Sequence, residues 1–223
     1  MPSIPFVVGL LLAAGEGSRM GRPKAAVELA GQTMLERSVE TLLRGGCGEV
    51  QVVLGAGAEG LAGRVGTAAA RWGDRVSTVE CVQWQDGVSA SLRTGLASLA
   101  ARGRGCPVAV LVHLVDLPDV GSEVVERVLE QGGEGQPWSR ALVRAAYDGR
   151  AGHPALIGQG HWQGAVDSAQ GDRGAGRYLR EHQAVLVECG DLAAGRDVDT
   201  PQELSTYQDE AGRASRKGCP GAP

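Results

Sequence analysis

A short apolar run that breaks into a glycine-rich, cation-bearing loop constrains this chain more than any other feature. Phe6-Val7-Val8-Gly9-Leu10-Leu11-Leu12 is too short and too β-branched at its start to favour a helix, and it reads as a buried strand. It leads into Ala13-Ala14-Gly15-Glu16-Gly17-Ser18-Arg19-Met20-Gly21-Arg22-Pro23-Lys24. A strand ending in such a loop leaves free backbone N–H groups at its carboxyl end, the edge where open α/β sheets bind ligands. Gly15, Gly17 and Gly21 let the backbone approach a ligand closely. Arg19, Arg22 and Lys24 add cations to the same loop, and N–H donors with cations describe a polyphosphate site.

Two familiar phosphate loops do not fit. The dinucleotide fingerprint G-x-G-x-x-G needs its third glycine at position 20, and here it stands at Gly21. A P-loop needs G-K-[ST], and here Lys24 follows Pro23 and precedes Ala25. The plain alternative is an ordinary βα turn with solvated basic residues, but a turn requires neither Lys24 nor so long a loop.

Further along, Thr33-Met34-Leu35-Glu36 is a capping box. Leu35, Val39, Leu42 and Leu43 share one face of the helix it opens, which Gly45-Gly46 stops. Residues 50–54 read as a second buried strand, 61–72 as a helix and 76–82 as a third strand. This β-loop-α-β-α-β order predicts an α/β fold: a three-layer, mostly parallel sheet with helices on both faces. Asp86-Gly87 is a turn, and Ser89 or Ser91 can cap a helix carrying Leu92, Leu96 and Leu99, with Arg93 on its solvated side. Such a helix N-terminus at the carboxyl edge is also an anion or ribose site.

Residues 108–115 form the strongest strand and end at Asp116. An acid there either caps the turn or, beside a polyphosphate loop, holds the divalent ion such chemistry needs. Ser122 is expected to cap a helix through residue 129, and residues 132–139 form a surface loop. Two strands, 141–147 and 155–157, flank an exposed segment 148–154, whose His153 serves either a site or the scaffold. Asp172, before a short helix at 178–182, is a ligand contact or that helix's cap. Thr200, Pro201 and Glu203 make a second capping box that aims Asp199, with Asp197 two residues earlier on the same side. Residues 1–210 read as one domain without internal repeats, and 211–223 as a disordered tail.

Composition narrows the function. A net charge of −4 offers no general attraction to nucleic acid or to an anionic membrane, so the loop cations are local. Five cysteines, with no C-x-x-C, argue for reduced thiols against a disulfide framework or structural zinc. The first apolar run is far short of the ~20 residues of a membrane span. A soluble, cytoplasmic protein is expected.

Taken in order, the motifs resemble those of the molybdenum cofactor cytidylyltransferase-like nucleotidyltransferases from residue 8 to residue 204. Residues 12–24 match L-A-A-G-x-x-x-R-M-G-x-x-K. Residues 87–96 resemble G-M-S-x-S-L-R-x-G-L, with Val88 for methionine. Val115-Asp116-Leu117-Pro118 resembles G-D-M-P, with Val and Leu in place of Gly and Met. Residues 150–154 resemble R-x-G-H-P, 171–175 G-D-x-G-A, and 197–204 D-[IV]-D-T-P-E-D-L.

The resemblance implies the nucleotide-diphospho-sugar transferase fold and transfer of CMP from CTP to a small phosphorylated acceptor, with pyrophosphate released. The Ala13-Ala14-Gly15 form is closer to cytidylyl than to guanylyl relatives, and the implied acceptor is molybdopterin. Leu12, Ala13, Ala14, Gly15, Gly17, Ser18, Arg19 and Lys24 would bind the nucleotide, with Gly87, Ser89 and Ser91 facing it or the acceptor. Arg19, Lys24 and Asp116 would be catalytic, Asp116 and Asp199 would hold Mg²⁺, and His153 and Asp172 would meet the acceptor. A molybdoenzyme or its chaperone is the partner this implies. The rival readings are an NAD(P)H-dependent oxidoreductase acting on a quinone-like dye, an activity some chains resembling this one are assigned, and a nucleotide-binding domain without turnover.

Overall fold

A computed structural model describes residues 5–217. The first strand, β1 (Val7–Ala13), is buried along its whole length. A two-stranded hairpin follows, β2 (Glu28–Leu29) and β3 (Gln32–Thr33), and then α1 (Met34–Arg44) and β4 (Glu49–Leu54). The chain continues as α2 (Ala58–Trp72), β5 (Val76–Glu80), α3 (Val88–Ala100), β6 (Ala109–Leu114) and α4 (Ser122–Glu130). It closes with β7 (Leu142–Tyr147), β8 (Arg150–Gly158), α5 (Trp162–Ser168), α6 (Gly176–Glu181), β9 (Val185–Glu188) and α7 (Pro201–Lys217).

Seven strands form one sheet in the order β5-β4-β1-β6-β8-β7-β9. All pairings are parallel except those of β8, which runs against both β6 and β7. Strand alternation divides the core. Val7 and Leu11 of β1 pack with Leu35, Val39 and Leu42 of α1 and Val124, Val125 and Val128 of α4. Val8, Leu10 and Leu12 turn to the other face, against Leu92, Leu96 and Leu99 of α3 and Trp162 and Leu179 of α5 and α6. This is the expected three-layer α/β arrangement. Its layers lie close: a Cβ on Gly95 of α3 would stand 2.6 Å from Leu10.

The α1 capping box forms as expected, with Thr33 Oγ1 accepting from the Glu36 N–H and Glu36 accepting from the Thr33 N–H. Two local expectations are corrected. α3 starts at Val88 after Gly87, so Ser89 and Ser91 lie inside its first turn and cap nothing. α4 is preceded by Gly121, with Ser122 as its first residue. α7 runs from Pro201 to Lys217, and 218–223 lie outside the described residues.

Among the buried polar residues of the core is an imidazole. His113 on β6 is 1 % exposed, its Nδ1 has no hydrogen-bond partner among the described residues, and burial pushes its pKa down to about 4. The neutral imidazole fits the core, whereas the unfolded chain protonates near the ordinary value of about 6.5. Between those values the unfolded state binds more protons, so stability falls as pH drops below about 6.5, by roughly 1.4 kcal/mol per unit from this residue. Denaturant titrations at pH 7 and pH 5 should show this loss, and His113→Leu should remove about 2 kcal/mol of it.

Candidate active site

The loop after β1 is built to turn back on itself. Gly17 adopts φ 64°, and a Cβ there would collide with the Arg22 carbonyl, so the loop closes only with glycine at this position. Two single 3₁₀ turns follow, Ser18–Met20 and Lys24–Ala26. The second begins at Lys24 and lifts its ammonium toward the end of β6.

Lys24 Nζ donates to Asp116 Oδ2 at 2.6 Å and also to Asp199 Oδ1. Because one nitrogen bridges them, those two carboxylate oxygens lie within about 5 Å of each other. Backbone tethers hold the arrangement. The Val198 N–H donates to the Asp116 carbonyl at 2.9 Å, which brings the segment before α7 alongside the end of β6. The Thr200–Glu203 capping box then fixes the start of α7, and Glu203 accepts from the Asp199 N–H at 2.8 Å. Arg19 reaches Asp199 Oδ2 at 3.4 Å from a largely exposed position.

Electrostatics follow from this geometry. Burial alone would lower the Lys24 pKa, but Asp116 and then Asp199 outweigh it and hold the ammonium above the ordinary lysine value. Asp197 is displaced upward, first by burial and then by the charges of Asp116 and Asp199. Asp116 Oδ1 is buried without a hydrogen-bond partner among the described residues. A site that gathers three carboxylates around one ammonium, with a carboxylate oxygen left over, has room in its charge balance for a cation.

These groups line a cavity of about 570 Å³. Its floor is Leu12, Ala14, Gly15, Gly17 and Ser18, and its acidic side is Asp116, Asp197 and Asp199. The opposite wall carries Trp84, Gly87, Val88, Ser91 and Asp172. Gly87, at φ 88°, lets the Asp172 loop come close: a Cβ there would sit 2.5 Å from Asp172 Oδ1. Asp172 thus faces the α3 N-terminus and caps no helix of its own.

Three residues singled out from the sequence stand elsewhere. Ala13 is 2 % exposed and packs on the opposite face of the sheet. Ser89 is 4 % exposed and does not line the cavity. His153 is part of β8 and not of an exposed segment, and it lines an adjoining smaller cavity. There burial, with the positive charge of Arg144 and nearby His113, pushes its pKa down to about 3. Sequence reasoning gave Trp84 no role. A tryptophan beside the Asp86-Gly87 turn, in a chain only 4 % aromatic, was the available signal.

The mostly parallel, mixed seven-stranded sheet with helices on both faces is the fold of nucleotidyltransferases of the nucleotide-diphospho-sugar transferase type. The chain belongs to the MobA-like NTP transferase domain family, whose model matches residues 9–185.

Among curated relatives, it is 34 % identical over 211 residues to nicotine blue oxidoreductase of Paenarthrobacter nicotinovorans, covering 90 % of this chain and 96 % of that protein. Among solved structures, a nucleotidyl transferase from Methanothermobacter thermautotroptrophicus superposes with a TM-score of 0.70 at 22 % identity, over 94 % of this chain and 99 % of that one. Rv0371c from Mycobacterium tuberculosis H37Rv, solved in complex with manganese, superposes with a TM-score of 0.66 at 23 % identity, over 92 % and 98 %.

Proposed function

We propose that this protein transfers the cytidylyl group of CTP to a small phosphorylated acceptor, with molybdopterin the acceptor. An acceptor phosphate oxygen forms a bond to the α-phosphorus, the bond from that phosphorus to the bridging oxygen breaks, and pyrophosphate leaves. The acceptor supplies the nucleophile, so the protein needs no nucleophilic side chain, only positioning and charge stabilisation. The observation that carries this reading is the meeting of Lys24 with Asp116 and Asp199 beside the glycine loop.

The loop N–H groups, Arg19 and Lys24 hold the triphosphate and the departing pyrophosphate. Gly87 and Ser91 face the nucleoside, and Trp84 lines the same cavity. Asp172 meets the acceptor where the cavity narrows toward His153.

A divalent ion fits the donor set. No group of three or more ligating side chains forms a ready-made metal cage among the described residues. Mg²⁺ is characteristically held by one or two carboxylates plus substrate phosphates, and Asp116 and Asp199 are such a pair. Bound there, the ion would neutralise charge on the phosphates. The reading places the protein in the cytoplasm, with a molybdoenzyme or its chaperone receiving the product. No helix among the described residues is long and apolar enough to cross a membrane.

A second reading, reduction of a quinone-like dye by NAD(P)H, is favoured by the identity to nicotine blue oxidoreductase. The glycine spacing at positions 15, 17 and 21 speaks against it. Ligand-dependent melting separates the two, because a ligand that binds only the folded state raises Tm. CTP with Mg²⁺ at about a hundred times its Kd should add roughly 2.7 kcal/mol of stability, while NADPH leaves Tm unchanged. Saturable NADPH fluorescence with no effect of CTP would transfer the assignment to the second reading.

A further inference from the structure

Lys24, Asp116 and Asp199 come from three separate segments, and those segments meet a second time at one backbone oxygen outside the nucleotide cavity. The Pro118 carbonyl accepts from Arg37 Nε of α1 at 2.8 Å and from the Tyr207 hydroxyl of α7 at 2.9 Å. A carbonyl oxygen has two lone pairs, so it takes both donors. Arg37 Nη2 also donates to Tyr207 Oη, at 3.4 Å. None of the three residues lines the nucleotide cavity.

Each partner in this junction leads back to one member of the cluster. Pro118 lies two residues after Asp116. Tyr207 stands about two turns along α7, the helix whose capping box holds the Asp199 N–H. Arg37 lies on α1, whose Met34 N–H donates to the Val27 carbonyl at 2.8 Å. The Val27 N–H in turn donates to the Lys24 carbonyl at 3.0 Å. Two other ties join the turn after β6 to the C-terminal segment, from the Ala194 N–H to Asp119 Oδ2 and from the Val198 N–H to the Asp116 carbonyl, and both lie before α7. A helix held only at its start can pivot, and a second hold about two turns on fixes its direction. Burial raises the Tyr207 pKa against the opposing charge of Arg37, so the hydroxyl stays protonated and donates.

We propose that Arg37 and Tyr207 are positioning residues for the Lys24–Asp116–Asp199 cluster: their shared hold on the Pro118 carbonyl sets the spacing of the two carboxylates, and with it the affinity for a divalent ion. Neither touches a substrate or the ion; both act through the turn that carries Asp116 and the helix that carries Asp199. The consequence for transfer rests on the transferase reading, but the spacing of the carboxylates can be followed with the metal alone.

The test measures Mn²⁺ binding to the full-length, nucleotide-free protein by electron paramagnetic resonance. Tyr207→Phe removes one hydroxyl and keeps the ring, so the far-ultraviolet spectrum should be that of the wild type. Its Mn²⁺ affinity should fall roughly tenfold, the usual loss when a group supporting a metal ligand is removed. Arg37→Gln should lose at least as much. In the transfer assay kcat at limiting Mn²⁺ should fall by a similar factor, and excess Mn²⁺ should restore it. A merely structural role would lower Tm and leave Mn²⁺ affinity where it was.

Wild-type Mn²⁺ affinity in either folded variant, or a wild-type protein that binds no Mn²⁺, would overturn the proposal. If both variants lose Mn²⁺ affinity but the wild type releases no pyrophosphate from CTP, the transferase reading fails and the positioning role stands. If the wild type turns over CTP and a folded variant keeps its Mn²⁺ affinity, the converse holds.

Discussion

Replacing Lys24 with alanine should lower nucleotidyl transfer by about 10²- to 10³-fold, the usual loss when one preorganised donor to developing charge is removed. CTP binding should weaken as well, because the ammonium contacts phosphates in the ground state. Lys24 is partly buried on a polar loop, so its truncation opens no core cavity, and the far-ultraviolet spectrum should be unchanged. The variant carries a second expected signature. Lys24 is the cation that bridges Asp116 and Asp199, and without it those carboxylates and Asp197 keep only the exposed Arg19, beside Asp199, as a nearby cation. Mn²⁺ should therefore bind the nucleotide-free variant more tightly than the wild type, by electron paramagnetic resonance, and protect it more against heat. A variant that binds CTP with wild-type affinity would remove the loop from the triphosphate site.

Asp116→Asn and Asp199→Asn are each expected to reduce metal-dependent turnover by at least ~10³-fold while sparing the fold, because both carboxylates stand where charge must be stabilised. The amide keeps the shape and one acceptor oxygen, so the Val198 tether to the Asp116 carbonyl and the α7 capping box are untouched. The two variants should also lose Mn²⁺ affinity, which separates metal binding from any defect in nucleotide contact. Asp197→Asn should be milder, roughly tenfold, since Asp197 lines the cavity without touching Lys24 and its pKa is raised by its neighbours. Equal losses in all three variants would mean that Asp197 shares the ion directly.

Much of this site was legible in the sequence because its signals are local. The β1–loop junction is written in an apolar run followed by glycines, and both capping boxes in residues three apart. The placement of Asp116 and Asp199 at one sheet edge followed from where a buried strand ends and where a capped helix begins.

What escaped depends on contacts between distant segments. The Val198–Asp116 hydrogen bond joins residues far apart in the chain, and no local pattern announces it. His153 was placed on an exposed segment, but Asp148 and Gly149 both take positive φ, and Tyr147 pairs with Arg150 across them. That is a two-residue hairpin turn, and the Asp-Gly pair was its available sign. β8 therefore begins at Arg150 and carries His153 inward. β9 is four residues long with Val185 and Leu186 about half exposed, too short and too open to leave a periodic mark. The Pro118 junction is likewise assembled from α1, the turn after β6, and α7, so it exists only once those segments have packed.

The most direct measurement is pyrophosphate release by the purified protein from each of the four ribonucleoside triphosphates, with Mg²⁺ and with EDTA, in the presence and absence of molybdopterin. The account predicts release from CTP above the other three, dependent on both molybdopterin and the divalent ion, and lost in Lys24→Ala and Asp116→Asn. Absence of release from every nucleotide with Mg²⁺ and molybdopterin, alongside oxidation of NADPH by a quinone-like dye, would contradict it.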